Sequence, residues 1–175
     1  MLFRSSQQKP AEGSELFVCG SASEVTRNFV ARQAAQGVGV FSLPQEFAAG
    51  GSFDASSLNL VVDQVVAACQ AARRVILNVG LLPVKDVATA EMLALHLIRV
   101  ALQVIHHAKV GHVFAEGGAT AVALARQMGW HRLRVTAELA PGVVTLLPQD
   151  GSSILFTMKP GTYAWPESSA RLAPH

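Results

Sequence analysis

The chain has 175 residues, half of them hydrophobic and 15% charged, with a formal net charge of +2. That length supports one domain with a sizeable core, and the apolar share excludes a disordered tail. The basic residues are dispersed and form no stripe with interleaved aromatics, so nucleic acid is not expected as a partner.

Residues 1–14 are rich in Ser, Gln, Pro and Gly and read as a linker or flexible N-terminus, with no apolar run of signal-peptide length. The domain proper is expected over 15–166, with a C-terminal tail at 167–175. Leu16-Phe17-Val18-Cys19 is a continuous apolar run ending at Gly20, as in a buried strand of a parallel sheet. Ser21-Ala22-Ser23 then leads into a helical pattern from Glu24 to Gln36, stopped by Gly37. A second strand is read over Val38 to Leu43, followed by a loop from Pro44 to Ser56. Asp54, Ser56 or Ser57 could cap the next helix, which runs to about Arg73. Val75 to Val79 is a third strand.

The stretch from Val87 to Val110 is the longest apolar one, but Glu91, His96, Arg99 and His106-His107 interrupt it. It reads as an amphipathic helix and not as a membrane span. His106-His107 suit the negative end of that helix better than a metal. A strand over His112 to Ala115 then meets the turn Glu116-Gly117-Gly118, and Ala119 to Met128 is a helix ended by Gly129. Leu133 to Leu139, Gly142 to Leu147 and Ile154 to Lys159 read as shorter strands separated by Pro141-Gly142 and Gln149-Asp150-Gly151. Strands alternating with helices predict an α/β fold: three layers, a mostly parallel sheet flanked by helices, with antiparallel strands near the C-terminus. Cys19 and Cys69 lack CxxC spacing and read as buried thiols of a reducing, cytoplasmic compartment, with no metal site.

Open α/β sheets bind ligands at the C-terminal ends of their strands. Two strand-to-helix turns there are built from small residues: Gly20-Ser21-Ala22-Ser23, followed by Thr26, and Gly117-Gly118-Ala119-Thr120. Glycine lets a backbone approach a ligand, and the first amides of a helix attract phosphate. Neither turn matches GxxxxGK[ST] or GxGxxG, and taken singly each is more often structural. Lys159-Pro160-Gly161-Thr162 is a third turn, in which Lys159 is a candidate phosphate contact.

Taken in order, these segments and Pro141-Gly142-Val143 resemble the C-terminal nucleotide-binding domain of the four-carbon acid sugar kinase family, over roughly residues 15 to 166. The resemblance implies phosphorylation of acids such as threonate, erythronate or oxo-tetronates, with ATP as donor and Mg²⁺ as its companion. It implies ATP contacts at Ser21 or Ser23, at Glu116, Gly117, Gly118, Ala119 and Thr120, and at Gly161. Where the family commonly has Lys-x-Gly-x-Phe-Gly, this chain has Lys159-Pro160-Gly161-Thr162-Tyr163-Ala164. Family kinases also carry a sugar-acid-binding domain N-terminal to this one. That domain is therefore an expected partner, as is a second copy of the chain through an apolar face. A stand-alone, non-catalytic nucleotide-binding or scaffolding module is the alternative.

Overall fold

A computed structural model of the chain describes residues 12–44, 47, 55–80 and 86–170. Of the three proposed caps for the next helix, Asp54 lies outside these residues, as do most of the N-terminal linker and the end of the C-terminal tail, whereas Ser56 and Ser57 fall inside that helix, which spans Ala55–Ala71. In chain order the elements are β1 (Ser14–Cys19), α1 (Glu24–Ala35), β2 (Gly39–Ser42), α2 (Ala55–Ala71), β3 (Arg74–Asn78), α3 (Val87–His107), β4 (Val110–Glu116), α4 (Gly118–Gln127), β5 (Leu133–Ala140), β6 (Val143–Pro148), β7 (Leu155–Lys159) and α5 (Glu167–Ala170). The short helix α5 falls in the stretch assigned above to a tail.

The strands form one seven-stranded sheet in the order β2-β3-β1-β4-β7-β6-β5. The pairs from β2 through β7 are parallel, while β6 runs antiparallel to both β7 and β5. The expected α/β architecture, with an antiparallel end supplied by the last strands, is therefore the one observed. Leu16, Phe17, Val18 and Cys19 are all fully buried, because a central parallel strand is covered on both faces.

Residues alternate between those faces. Leu16, Val18, Val75, Leu77, Val113 and Ala115 point toward α2, α3 and α4 in the larger core. Phe17, Cys19, Ile76 and Phe114 point the other way, toward Phe29 and Val30 of α1 and Trp165. Phe17 and Phe114 stack with centroids 4.2 Å apart, and Trp165 meets both edge-on. Among the described residues α3 is the one helix long and apolar enough to cross a membrane, with a mean hydropathy of 1.5. It sits in the larger core through Leu93, Leu97, Val100, Ala101 and Val104.

The connections place the cleft. From β1 the chain leaves over α1 toward β2 at one edge, whereas from β4 it leaves over α4 toward β5 at the other. Helices α1 and α4 lie on opposite faces. Neighbouring strands whose connections diverge in this way leave a crevice at their C-terminal ends.

At the opposite end of the sheet His112 is partly buried. Its Nε2 lies 2.7 Å from Thr157 Oγ1, which lies 2.7 Å from Thr145 Oγ1. Burial first, then the charges of Arg73 and Arg74, lower its pKa from 6.5 to about 3. The folded chain thus refuses a proton that the unfolded chain accepts, so this contribution to stability is complete above about pH 6.5 and declines as pH falls toward about 3. In urea titrations His112 is expected to account for a loss approaching about 1.4 kcal/mol per pH unit across that window. His112→Gln should flatten the dependence; an unchanged slope would show that the imidazole is not held neutral.

Candidate functional site

Parallel register brings one residue from each strand end into a row across the sheet: Ser42 beside Asn78, Asn78 beside Cys19, Cys19 beside Glu116, and Glu116 beside Lys159. All five side chains share the α1 face, by the alternation of strands. Asn78 closes one end of the row. It accepts from Ser42 Oγ at 2.9 Å and from the Gly80 amide at 2.8 Å, and its Nδ2 donates to the Phe41 carbonyl.

The other end is charged. Glu116 Oε2 stands 2.9 Å from Lys159 Nζ, with the side chains 1% and 0% exposed. The approach is a charge contact without the alignment of a hydrogen bond. Thr26 donates its hydroxyl proton to Glu116 Oε1. Lys159 also donates to the Pro160 carbonyl at 3.2 Å, and its ammonium lies 5.0 Å from the Trp165 ring centroid. Such a pair requires mutual compensation, since a buried charge left alone is strongly unfavourable. Burial chiefly, and secondarily the Glu116 carboxylate, push the Cys19 thiol well above its ordinary range, against a smaller opposing effect of Lys159. Cys19 is therefore a neutral filler here.

Three turns meet above this row. A methyl group on Gly161 would stand 3.8 Å from Ser21 Cβ and 3.9 Å from both Ser21 Oγ and Gly117 Cα. A methyl group on Gly20 would collide with Thr120 Oγ1, so the first and second turns are in direct contact. Gly117 has φ 95°, a conformation open to glycine and strained for other residues. Its amide donates to the Lys159 carbonyl at 2.9 Å, which ties the end of β4 to that of β7.

The two helix starts differ. Ser23 caps α1 by accepting from the Thr26 amide at 3.2 Å. Helix α4 begins at Gly118 after a glycine cap and has no side-chain cap. Its first amides carry the positive end of the helix dipole toward the crevice.

The structure thus brings Ser21, Gly117, Thr120 and Gly161 together, with Gly118 and Ala119 opening α4. Nothing lies within 4 Å of a methyl placed on Gly118. Ser23 is held in the cap, and its own amide donates to Ser21 Oγ at 3.1 Å. Lys159 and the carboxylate of Glu116 face inward, toward each other. Sequence reasoning missed this pairing, along with Trp165 beneath it. The available signal was a charged residue of opposite sign closing each of two mostly apolar strands.

The family described as nucleotide-binding C-terminal domain matches residues 16–163, and the chain belongs to that family. Among solved structures, a Haemophilus influenzae protein of the DUF1537 family superposes with a TM-score of 0.74 at 18% identity, over 91% of this chain and 40% of that one. A Bordetella bronchiseptica protein of the same family, a domain-swapped dimer with bound citrate, gives 0.69 at 20% identity over 88% and 38%. A Salmonella typhimurium protein described provisionally as a tRNA synthase gives 0.69 at 14% identity over 92% and 40%. The DUF1537 proteins form the four-carbon acid sugar kinase family, in agreement with the resemblance drawn from the turns. The chain spans about two fifths of the length of these neighbours. No curated protein matches it.

The contact between the first two turns is testable. Gly20→Ala is expected to cost about 1–3 kcal/mol through overpacking against Thr120. Adding Thr120→Ala removes the colliding oxygen, so the double variant should be less destabilised than the sum of the two single changes. Strictly additive costs in denaturant titrations would show that the turns do not touch.

Proposed function

We propose that this chain is the ATP-binding domain of a kinase that phosphorylates four-carbon acid sugars such as threonate, erythronate or an oxo-tetronate. The observation that carries the reading is the meeting of three small-residue turns at the crevice between β1 and β4, beside a helix start with no side-chain cap. The family match supports nucleotide binding. The sugar acid comes from the resemblance alone, because structural likeness at 14–20% identity shows only the fold.

In this reading the amides of Gly118, Ala119 and Thr120 meet the phosphates, and the Thr120 and Ser21 hydroxyls orient them. Gly117 and Gly161, together with the backbone of Glu116, let the nucleotide come close. Ser21 is preferred over Ser23 because Ser23 is engaged as the cap of α1. Lys159, buried and turned to Glu116, makes no phosphate contact in this reading.

Bound Mg²⁺ would supply charge neutralisation across the phosphates. Among the described residues no group of three or more His, Cys, Asp or Glu side chains gathers to hold a metal. The ion would therefore belong to the nucleotide and keep its water ligands, as Mg²⁺ commonly does.

Transfer also needs an acceptor hydroxyl held in line. That task and the catalytic base fall to an N-terminal sugar-acid-binding domain in this proposal. A second copy of the chain is a further partner, suggested by the domain-swapped dimer of the Bordetella protein. Cytoplasmic location belongs to the same reading, with Cys19 and Cys69 as buried free thiols.

Calorimetric titration with Mg-ATP and Mg-ADP tests the proposal. Micromolar or weaker binding is expected, about −8 kcal/mol or smaller in magnitude. Gly118→Val should keep the fold by circular dichroism, given the open space at that position, and abolish binding by blocking backbone approach. No heat at millimolar nucleotide, or undiminished binding by the folded variant, would overturn the assignment.

A further inference from the structure

The three turns at the crevice come from distant parts of the chain, yet one line of polar contacts runs beneath them all. It starts at Ser21, whose Oγ accepts from the Ser23 amide at 3.1 Å. Ser23 Oγ lies 2.9 Å from Thr26 Oγ1. Thr26 gives its single hydroxyl proton to Glu116, so Ser23 must be the donor to Thr26. Glu116 then meets Lys159 at 2.9 Å, and Lys159 donates to the carbonyl of Pro160, next to Gly161. A backbone bond from Gly117 to Lys159 closes the circuit at 2.9 Å.

Each buried member sits at the root of a different turn. Thr26 lies in the first turn of α1, after Ser21. Glu116 immediately precedes Gly117, and Lys159 stands two residues before Gly161. Thr26 is 2% exposed, Glu116 0% and Lys159 1%, so none of the three presents a side chain to a ligand in the crevice.

We propose that Thr26, Glu116 and Lys159 are positioning residues: a buried linkage that fixes the Ser21, Gly117 and Gly161 turns relative to one another and sets the shape of the anion-binding crevice. The ligand class, a nucleotide phosphate, rests on the function proposed above. The linkage itself does not, and the two are separable by experiment.

Replacing both charges with apolar groups of similar volume, Glu116→Leu with Lys159→Met, removes the linkage without stranding a charge. Such double replacements are often neutral or stabilising. The double variant is therefore expected to unfold at or above the parent's denaturant midpoint. Amide hydrogen exchange should nevertheless rise about tenfold at Ser23, Gly117 and Tyr163, whose amides donate to Ser21 Oγ, the Lys159 carbonyl and the Pro160 carbonyl, and not at Val75 to Leu77 of β3. Affinity for Mg-ADP should fall about tenfold through the loosened crevice.

A purely structural role predicts recovery of turn protection and affinity along with stability; that outcome overturns the proposal. If exchange rises at the turns while the parent itself binds no nucleotide, the positioning role holds and the ligand is wrong. Should the double variant fail to fold, Thr26→Val removes only the hydroxyl. It should raise exchange at Ser23 while leaving Tyr163 protected, and unchanged exchange at Ser23 overturns the proposal.

Discussion

A carboxylate without solvent must be compensated, and at the end of β4 that requirement organises its surroundings. Glu116 has Lys159 on one side and the hydroxyl of Thr26 on the other. Removing one member of such a pair costs about 3–5 kcal/mol, because the survivor is left charged in an apolar setting. The compensation can be met only if β4 and β7 are in register at their ends and α1 begins close above β1. Placement of the Gly117 and Gly161 turns follows from meeting it. The neighbouring Trp165 ring lies where it can accept the outer face of the ammonium, which joins the charged layer to the aromatic layer of Phe17 and Phe114.

The sheet order supplies the second constraint. β1 and β4 are neighbours whose outgoing connections diverge to opposite edges and opposite faces. Backbone amides at their ends thus face a common crevice. A side chain at Gly20 would strike Thr120, whereas a methyl at Gly161 would make ordinary contact with Ser21 and Gly117 and one at Gly118 would meet nothing. Gly20 therefore has a steric reason that does not depend on a ligand, and the geometry at Gly118 and Gly161 leaves backbone open to one.

Much of this was legible in the sequence. Apolar runs such as Leu16 to Cys19 and Val75 to Val79 mark buried parallel strands, since both their faces need cover. Gly37, Gly117 and Gly129 mark helix boundaries at positive φ. The last strands were recognisable through Pro141-Gly142 and Gln149-Asp150-Gly151. Helix α5 was missed because four residues carry no period, and Trp165 because a lone aromatic beyond the last strand gives no direction. Individual members of the crevice could be named, but the Glu116–Lys159 pair could not. Pairing is a property of register between β4 and β7, and the residues are 43 positions apart in the chain. The choice between Ser21 and Ser23 likewise waited on cap geometry, in which Ser23 is engaged.

The central claim is one of location: an anionic ligand belongs in the crevice formed by the three turns. Amide chemical-shift mapping of the labelled chain during titration with Mg-ADP tests this residue by residue. The account predicts that the largest shifts cluster at Gly20 and Ser21, at Gly117 to Thr120, and at Gly161, with β2 and the β5–β6 hairpin left unmoved. Saturable shifts centred on that hairpin, or on the groove between α2 and α3 near Asn59 and Arg99, would contradict it.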